Sequence, residues 1–218
     1  MREPGRRWVR ALVAAGLLGA VVAALTLLAA LDPADPLLLG GIDRAWRDIA
    51  LGAPGWVETV SRSLKTLGAG FVMVPLRIMV ALWLLVRRRR PELAAWLLAW
   101  AIADALTLVL KPGIGRVRPD GEDATSFPSG HAKTAAQVAI GLALLATATW
   151  PRRRAIAGFA WTAAAVWVVA MAISRTVLDE HWLSDVVAGS MLGAACALGA
   201  VGCVGMLATS RAGPSPDG

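Results

Sequence analysis

Two short polar stretches interrupt long apolar runs, and each holds one of the chain's two histidines. The first, Lys111 to His131, reads KPGIGRVRPDGEDATSFPSGH. The second, Ser174 to Asp185, reads SRTVLDEHWLSD and adds Arg175, His181 and Asp185. Cations that can grip phosphate, a helix start that can hold an anion and two imidazoles describe a phosphoryl-transfer site. Such a site must hold the equatorial charge of the phosphoryl group and set a nucleophile in line with the leaving oxygen. Lys111, Arg118 and Arg175 supply the charge, the arginines as planar forks suited to phosphate oxygens. Ser129 stands where an N-cap would begin the next apolar run, so N–H groups near Gly130 and His131 would face a bound anion.

His181 and Asp185 are four positions apart, so a helical turn there sets them on one face. A carboxylate accepting one imidazole N–H fixes the tautomer and leaves the other nitrogen to attack phosphorus. His131 is then the group that protonates the departing oxygen. Taken alone, each cation reads as a snorkelling charge at a helix end. The joint spacing is what carries the site. Asp120, Glu122, Asp123, Asp179 and Glu180 form no recognisable ligand pattern, so no metal and no other cofactor is expected.

Written out, the motifs are Lys111-(six residues)-Arg118-Pro119, Pro128-Ser129-Gly130-His131, and Ser174-Arg175-(five residues)-His181-(three residues)-Asp185. This resembles the three-part signature of the type-2 phosphatidic acid phosphatase family, which includes the vanadium-dependent haloperoxidases. All signature residues match, in order and with spacing intact, from the third apolar run to the start of the sixth. The resemblance implies a phosphohistidine formed on His181 and hydrolysed by water. It also implies a lipid substrate carrying a phosphate monoester or diphosphate, and polyprenyl diphosphate, phosphatidic acid and phosphatidylglycerophosphate all fit. Arg116 is one further cation, which could contact a second phosphate or face water. One departure stands out: Asp179-Glu180 precede His181 where the family more often has small or apolar residues. Two extra carboxylates there would weaken anion attraction or raise the pKa of His181. The rival classes are a haloperoxidase holding vanadate in the same pocket and a lipid or ion transporter. The transporter leaves the paired histidines without a purpose.

The elements that must position these groups are membrane spans. The chain has 218 residues, 57% of them hydrophobic, and its apolar runs have the length of membrane helices. The net charge of +7 gathers in short arginine runs at the ends of apolar segments, which fits topology signals and not a nucleic-acid groove. Spans are expected at 11–31, 67–86, 93–110, 132–150, 155–173 and 186–208, in a single all-α domain covering 1–218. Residues 1–10 form a basic N-terminus, and 209–218 a disordered tail. The first run exceeds the roughly 7–15 residues of a signal-peptide core and no A-x-A site follows, so it is expected to remain. Between the first two spans, breakers at Asp32-Pro33, Asp35-Pro36, Gly40-Gly41 and Pro54-Gly55 bracket a short amphipathic stretch with Ile42, Trp46, Ile49 and Ala50 at helical spacing. It would lie in the membrane interface or form an ordinary surface helix.

Six spans put both termini on one side, and the arginines at the N-terminus, 87–90, 152–154 and 211 make that side cytoplasmic. Both polar stretches then face outward across the cell membrane. Glycines 189, 193, 199, 202 and 205 give the sixth span a small-residue stripe for packing inside the bundle or for a homodimer. Cys196 and Cys203, two turns apart, are expected to be buried packing residues. Trp8, Trp46, Trp56, Trp150 and Trp182 fall at expected interfaces. Two charges outside the signature, Arg77 and Asp104, lie at depths that differ by only about 3 Å if the second and third spans are antiparallel neighbours. A buried ion pair between them, two turns beneath Lys111, is the expected arrangement. The bland alternative has Arg77 snorkelling and Asp104 protonated.

Overall fold

The computed structural model describes residues 4–31 and 39–211, and among these every regular element is helical. The helices are α1 (Pro4–Leu31), α2 (Gly40–Leu51), α3 (Gly55–Gly68), α4 (Gly70–Val86), α5 (Arg90–Ile114), α6 (Gly130–Thr149), α7 (Arg154–Val177) and α8 (Leu183–Arg211). Five of them, α1, α5, α6, α7 and α8, are long and apolar enough to cross a membrane. The expected second crossing is a bent pair: α3 and α4 meet at 47° and together make a sixth candidate. The break falls at Ala69, whose extended backbone (φ −69°, ψ 155°) separates two helices of opposite character. α3 carries Glu58, Arg62 and Lys65 at spacings that share a face, whereas α4 is apolar apart from Arg77. A span beginning at Leu67 therefore cuts through the last turn of α3.

The other crossings outrun their apolar cores. α5 continues through Lys111 and Pro112 to Ile114, and α1 takes in most of the basic N-terminus. Thr209 and Ser210, expected in the tail, are still helical. Arg2, the breakers at 32–36 and the tail from residue 212 lie outside the described residues.

α8 is the post against which the bundle is built. A Cβ on Gly189 would sit 2.4 Å from the Ser129 carbonyl oxygen, and one on Gly193 would sit 2.1 Å from that of Lys133. Backbone therefore packs on backbone between α8 and α6, a distance only glycine permits. Farther along, Gly199, Gly202 and Gly205 meet Ala15, Leu12 and Trp8 of α1. The stripe is used within the chain. Cys196 is buried as expected, but Cys203 is exposed, because seven residues fall short of two full turns and drift off the packed face.

One end of the bundle carries the arginines 87–90 and 152–154, where Arg89 pairs with Glu92 at 2.7 Å and donates to the Thr149 hydroxyl. The two polar stretches meet at the other end, roofed by α2 and α3.

Candidate active site

The close approach of α8 to α6 has its consequence at this end: the Ser129 N–H donates to the Asp185 carbonyl at 3.1 Å. Ser129 is the N-cap of α6, its Oγ accepting from the Ala132 N–H at 3.5 Å. The N–H groups of Gly130 and His131 belong to a first turn, which has no intrahelical acceptors to offer them. Lys111 reaches the same point from α5. A Cβ on Gly130 would lie 4.0 Å from Lys111 Cε, and the Lys111 ammonium donates to the Thr125 carbonyl. Gly115, at φ 63°, ends α5 in the left-handed conformation that glycine takes at little cost and turns the chain across the bundle end.

His181 is buried between α7 and α8, and its Nδ1 lies 3.6 Å from Asp185 Oδ2. That is a close contact, longer than a hydrogen bond. Ser126 stands beside both: its hydroxyl donates to Asp185 Oδ2 and lies 3.4 Å from His181 Nδ1. The same carboxylate oxygen accepts from the Trp182 N–H at 2.9 Å. With Nδ1 turned toward Asp185, Nε2 is the nitrogen left for a substrate. Burial pushes the imidazole below its ordinary pKa; Asp185 opposes this, and the charges of Lys111 and Arg118 reinforce it. The downward shift favours the neutral ring, the form that a nucleophilic imidazole would need.

Asp179 and Glu180 do not lift the His181 imidazole above its ordinary value, and both carboxylates are held by cations. Asp179, in the left-handed region at φ 56°, holds Arg47 of α2 through two bonds of 2.7 and 2.5 Å. Glu180 bridges two cations, accepting from Lys65 of α3 at 2.5 Å and from Arg175 at 2.8 Å. Burial works to raise the Glu180 carboxyl, but Lys65 and Arg175 outweigh it and hold the group below its ordinary value.

Arg175 is wholly buried, with Nε 3.4 Å from the Ser174 hydroxyl and Nη2 lacking any acceptor. A buried donor left unmet costs on the order of 1–3 kcal/mol, and a phosphate oxygen would satisfy it. Arg118 is more open, its Nε donating to Asp123 Oδ1 at 2.9 Å on the same loop. His131, half-buried, faces the end of α3, where a Cβ on Gly68 would come within 3.2 Å of its Cδ2.

Arg116 departs furthest from expectation. It is 1% exposed, donating from Nη1 to Asp185 Oδ1 at 2.6 Å and to Ser184 Oγ at 2.7 Å, and from Nη2 to Asp43 Oδ2 at 2.7 Å. It does not face water, and both of its terminal nitrogens are claimed by two buried carboxylates, which leaves only Nε without a partner. Asp43 also accepts from the Ser184 N–H at 2.8 Å and the Ser184 hydroxyl at 2.7 Å. α2 is thus docked on the site through Asp43, with Ile42 and Ile49 on its exposed side. Trp46 and Trp182 are fixed there too, donating to Thr176 Oγ1 and the Val117 carbonyl, each at 3.0 Å.

Behind the site, Arg77 Nη1 lies 3.1 Å from Asp104 Oδ2, which also accepts from Trp100 Nε1 at 2.7 Å. Lys133 of α6 donates to the other Asp104 oxygen, so the expected pair is a triad. The aspartate side chain is 45% exposed, against 3% for Arg77 and 6% for Lys133. Lys133, Asp43, Ser126 and Ser184 were not singled out by sequence reasoning. Among the described residues, no three His, Cys, Asp or Glu side chains form a group that could hold a metal ion.

The description of the PAP2 superfamily matches residues 92–208. Phosphatidylglycerophosphatase B of Bacillus subtilis (strain 168) is 32% identical over 143 residues, covering 63% of this chain and 70% of that protein. The lipid A 1-phosphatase of Porphyromonas gingivalis is 36% identical over 102 residues, covering 42% of this chain but only 21% of that protein. Among solved structures, the transmembrane PAP2-type phosphatidylglycerolphosphate phosphatase from Bacillus subtilis has a TM-score of 0.65 at 25% identity, covering 96% of this chain and 98% of that one. Aquifex aeolicus LpxE shares the fold, with a TM-score of 0.56 at 19% identity over 76% of this chain and 95% of that one. The matched stretch carries both histidines, Asp185 and every cation that could meet phosphate, and on that ground the chain belongs to the PAP2 superfamily as a multi-pass membrane hydrolase.

Proposed function

We propose that the chain hydrolyses a lipid phosphate at the outer face of the cell membrane through a phosphohistidine on His181. The observation that carries this is the placement of a buried imidazole 3.6 Å from Asp185, with Lys111 and Arg118 near enough to act on its charge. Arg175 adds a buried N–H with no partner. His181 Nε2 attacks phosphorus and the bond to the lipid oxygen breaks, while His131 gives that oxygen its proton. Water then attacks phosphorus as His131 accepts its proton, the phosphorus–nitrogen bond breaks to return His181, and inorganic phosphate leaves. Lys111, Arg118, Arg175 and the first turn of α6 hold the phosphoryl oxygens throughout. The arginine clusters at the far end support a cytoplasmic placement of that end.

The similarity to phosphatidylglycerophosphatase B supports a phosphatidylglycerophosphate-type substrate. The test is phosphate release by purified enzyme in detergent from phosphatidylglycerophosphate, phosphatidic acid and a polyprenyl diphosphate. Vanadate, which adopts the five-coordinate geometry of the transferring group, should inhibit, and EDTA should not. His181→Ala should abolish release, and near-normal turnover in that variant would sink the mechanism.

A further inference from the structure

Beside the phosphate cradle lies a cavity of about 280 Å³ between the end of α2, one face of α3 and the loop after α7. The cavity and the cradle are one side chain apart. Glu180 lines the cavity, gives one oxygen to Lys65 at its wall and the other to Arg175 in the cradle. α3 continues from this wall straight to His131, since Gly68, three residues past Lys65, abuts the imidazole. Under the proposed mechanism, on which this inference rests, His131 protonates the leaving oxygen. A leaving group protonated there would lie at the end of α3, one turn from the part of the helix that lines this cavity.

The lining states what it accepts. Its cations are already matched: Arg62 with Glu58 at 2.5 Å and Lys65 with Glu180 at 2.5 Å. Asp179, a third carboxylate on the wall, is matched from outside by Arg47. A second phosphate joined directly to the first would have to draw Arg62 or Lys65 away from its carboxylate and would meet three carboxylates that repel it. Arg116, the remaining cation that could have held one, is committed to Asp43 and Asp185. An apolar chain would strand these charges out of water without hydrogen bonds. Hydroxyl groups suit them, because each hydroxyl both donates to carboxylate and accepts from ammonium or guanidinium.

We infer that this cavity is a leaving-group subsite for a hydroxyl-bearing head, glycerol or sugar, and that it selects such lipid monophosphates over prenyl diphosphates. The experiment compares kcat/KM of the full-length enzyme in detergent for phosphatidylglycerophosphate, phosphatidic acid and farnesyl diphosphate. Wild type should favour phosphatidylglycerophosphate over farnesyl diphosphate by at least about tenfold. Ala53→Trp, which fills the cavity, should lower the phosphatidylglycerophosphate-to-phosphatidic acid ratio by about fivefold or more. Glu58→Lys, on an exposed face, frees one cation and adds another, and should raise the relative rate on farnesyl diphosphate. If Ala53→Trp does not yield a monodisperse protein, Glu58→Lys decides alone. Wild-type preference for farnesyl diphosphate, or ratios unmoved by the substitutions, overturns the subsite. Absence of phosphate release from all three lipids instead overturns the lipid phosphatase reading itself.

Discussion

Arg116 grips the Asp185 oxygen that His181 does not face: Nη1 is 2.6 Å from Oδ1, while the imidazole nitrogen is 3.6 Å from Oδ2. Arg116→Ala would leave Asp43 and Asp185 buried without their cation and should cost about 3–5 kcal/mol, read as thermal unfolding in detergent. Arg116→Lys keeps the charge but loses the fork. It should fold, lower kcat and leave KM nearly unchanged, because Arg116 steadies Asp185 and does not touch phosphate. A raised KM at constant kcat would mark it as a substrate contact after all.

The pH profile should carry the signature of a buried imidazole. His181 sits below its ordinary value of 6.5, chiefly through burial, so the neutral nucleophile persists as pH falls past that point. The acid limb of kcat/KM should therefore lie below pH 6.5. Asp185→Asn removes the influence that opposes this shift. It should move the limb lower still while cutting kcat on the order of 10²–10⁴-fold. An acid limb at or above pH 6.5 would contradict the assignment.

Alanine substitutions along α8 should separate backbone contacts from side-chain contacts. Gly193→Ala meets the Lys133 carbonyl at 2.1 Å, an atom that cannot step aside, and should destabilise by about 1–3 kcal/mol or more. Gly189→Ala presses on the Ser129 carbonyl at 2.4 Å and should also lower activity by displacing the N-cap. Gly199→Ala meets only Ala15 Cβ at 3.5 Å, an ordinary contact, so better helix propensity should leave it neutral or up to about 1 kcal/mol more stable. Equal losses at all three positions would refute the backbone contact.

The triad behind the site predicts an asymmetry. Asp104→Asn leaves two nearly buried cations, Arg77 and Lys133, without their shared carboxylate. Arg77→Met leaves Asp104 still paired with Lys133. Asp104→Asn should therefore be the costlier change in detergent stability, and adding Arg77→Met to it should recover part of the loss. If Arg77→Met alone proves the costlier, Lys133 is not sharing the charge.

The long apolar helices and the gathering of the motif residues at one end of the bundle were legible in the sequence because each rests on a local property, apolar length or motif spacing. What escaped depends on partners far along the chain. Asp43 meets Arg116 across 73 positions and Ser184 across 141. A local reading pairs Asp43 with Arg47 one turn on, yet Arg47 reaches Asp179 across 132 positions. α3 was passed over because its charges break the apolar run that marks a span, and those charges are what make it a wall of the cavity. Lys133 hid as one cation in an apolar helix whose partner lies on another.

The segment from α2 to α3 precedes the stretch matched by the PAP2 superfamily, which begins at residue 92. It nonetheless supplies Asp43 to Arg116, Arg47 to Asp179 and Lys65 to Glu180. The proposed nucleophile, acid and phosphate-binding residues thus lie in one part of the sequence, and the α3 wall of the neighbouring cavity in another. Such a cassette is interchangeable in principle. Grafting residues 40–68 from a relative of different preference, with the three ionic partners kept complementary, should redirect the enzyme toward another lipid while the chemistry on His181 stays as it is.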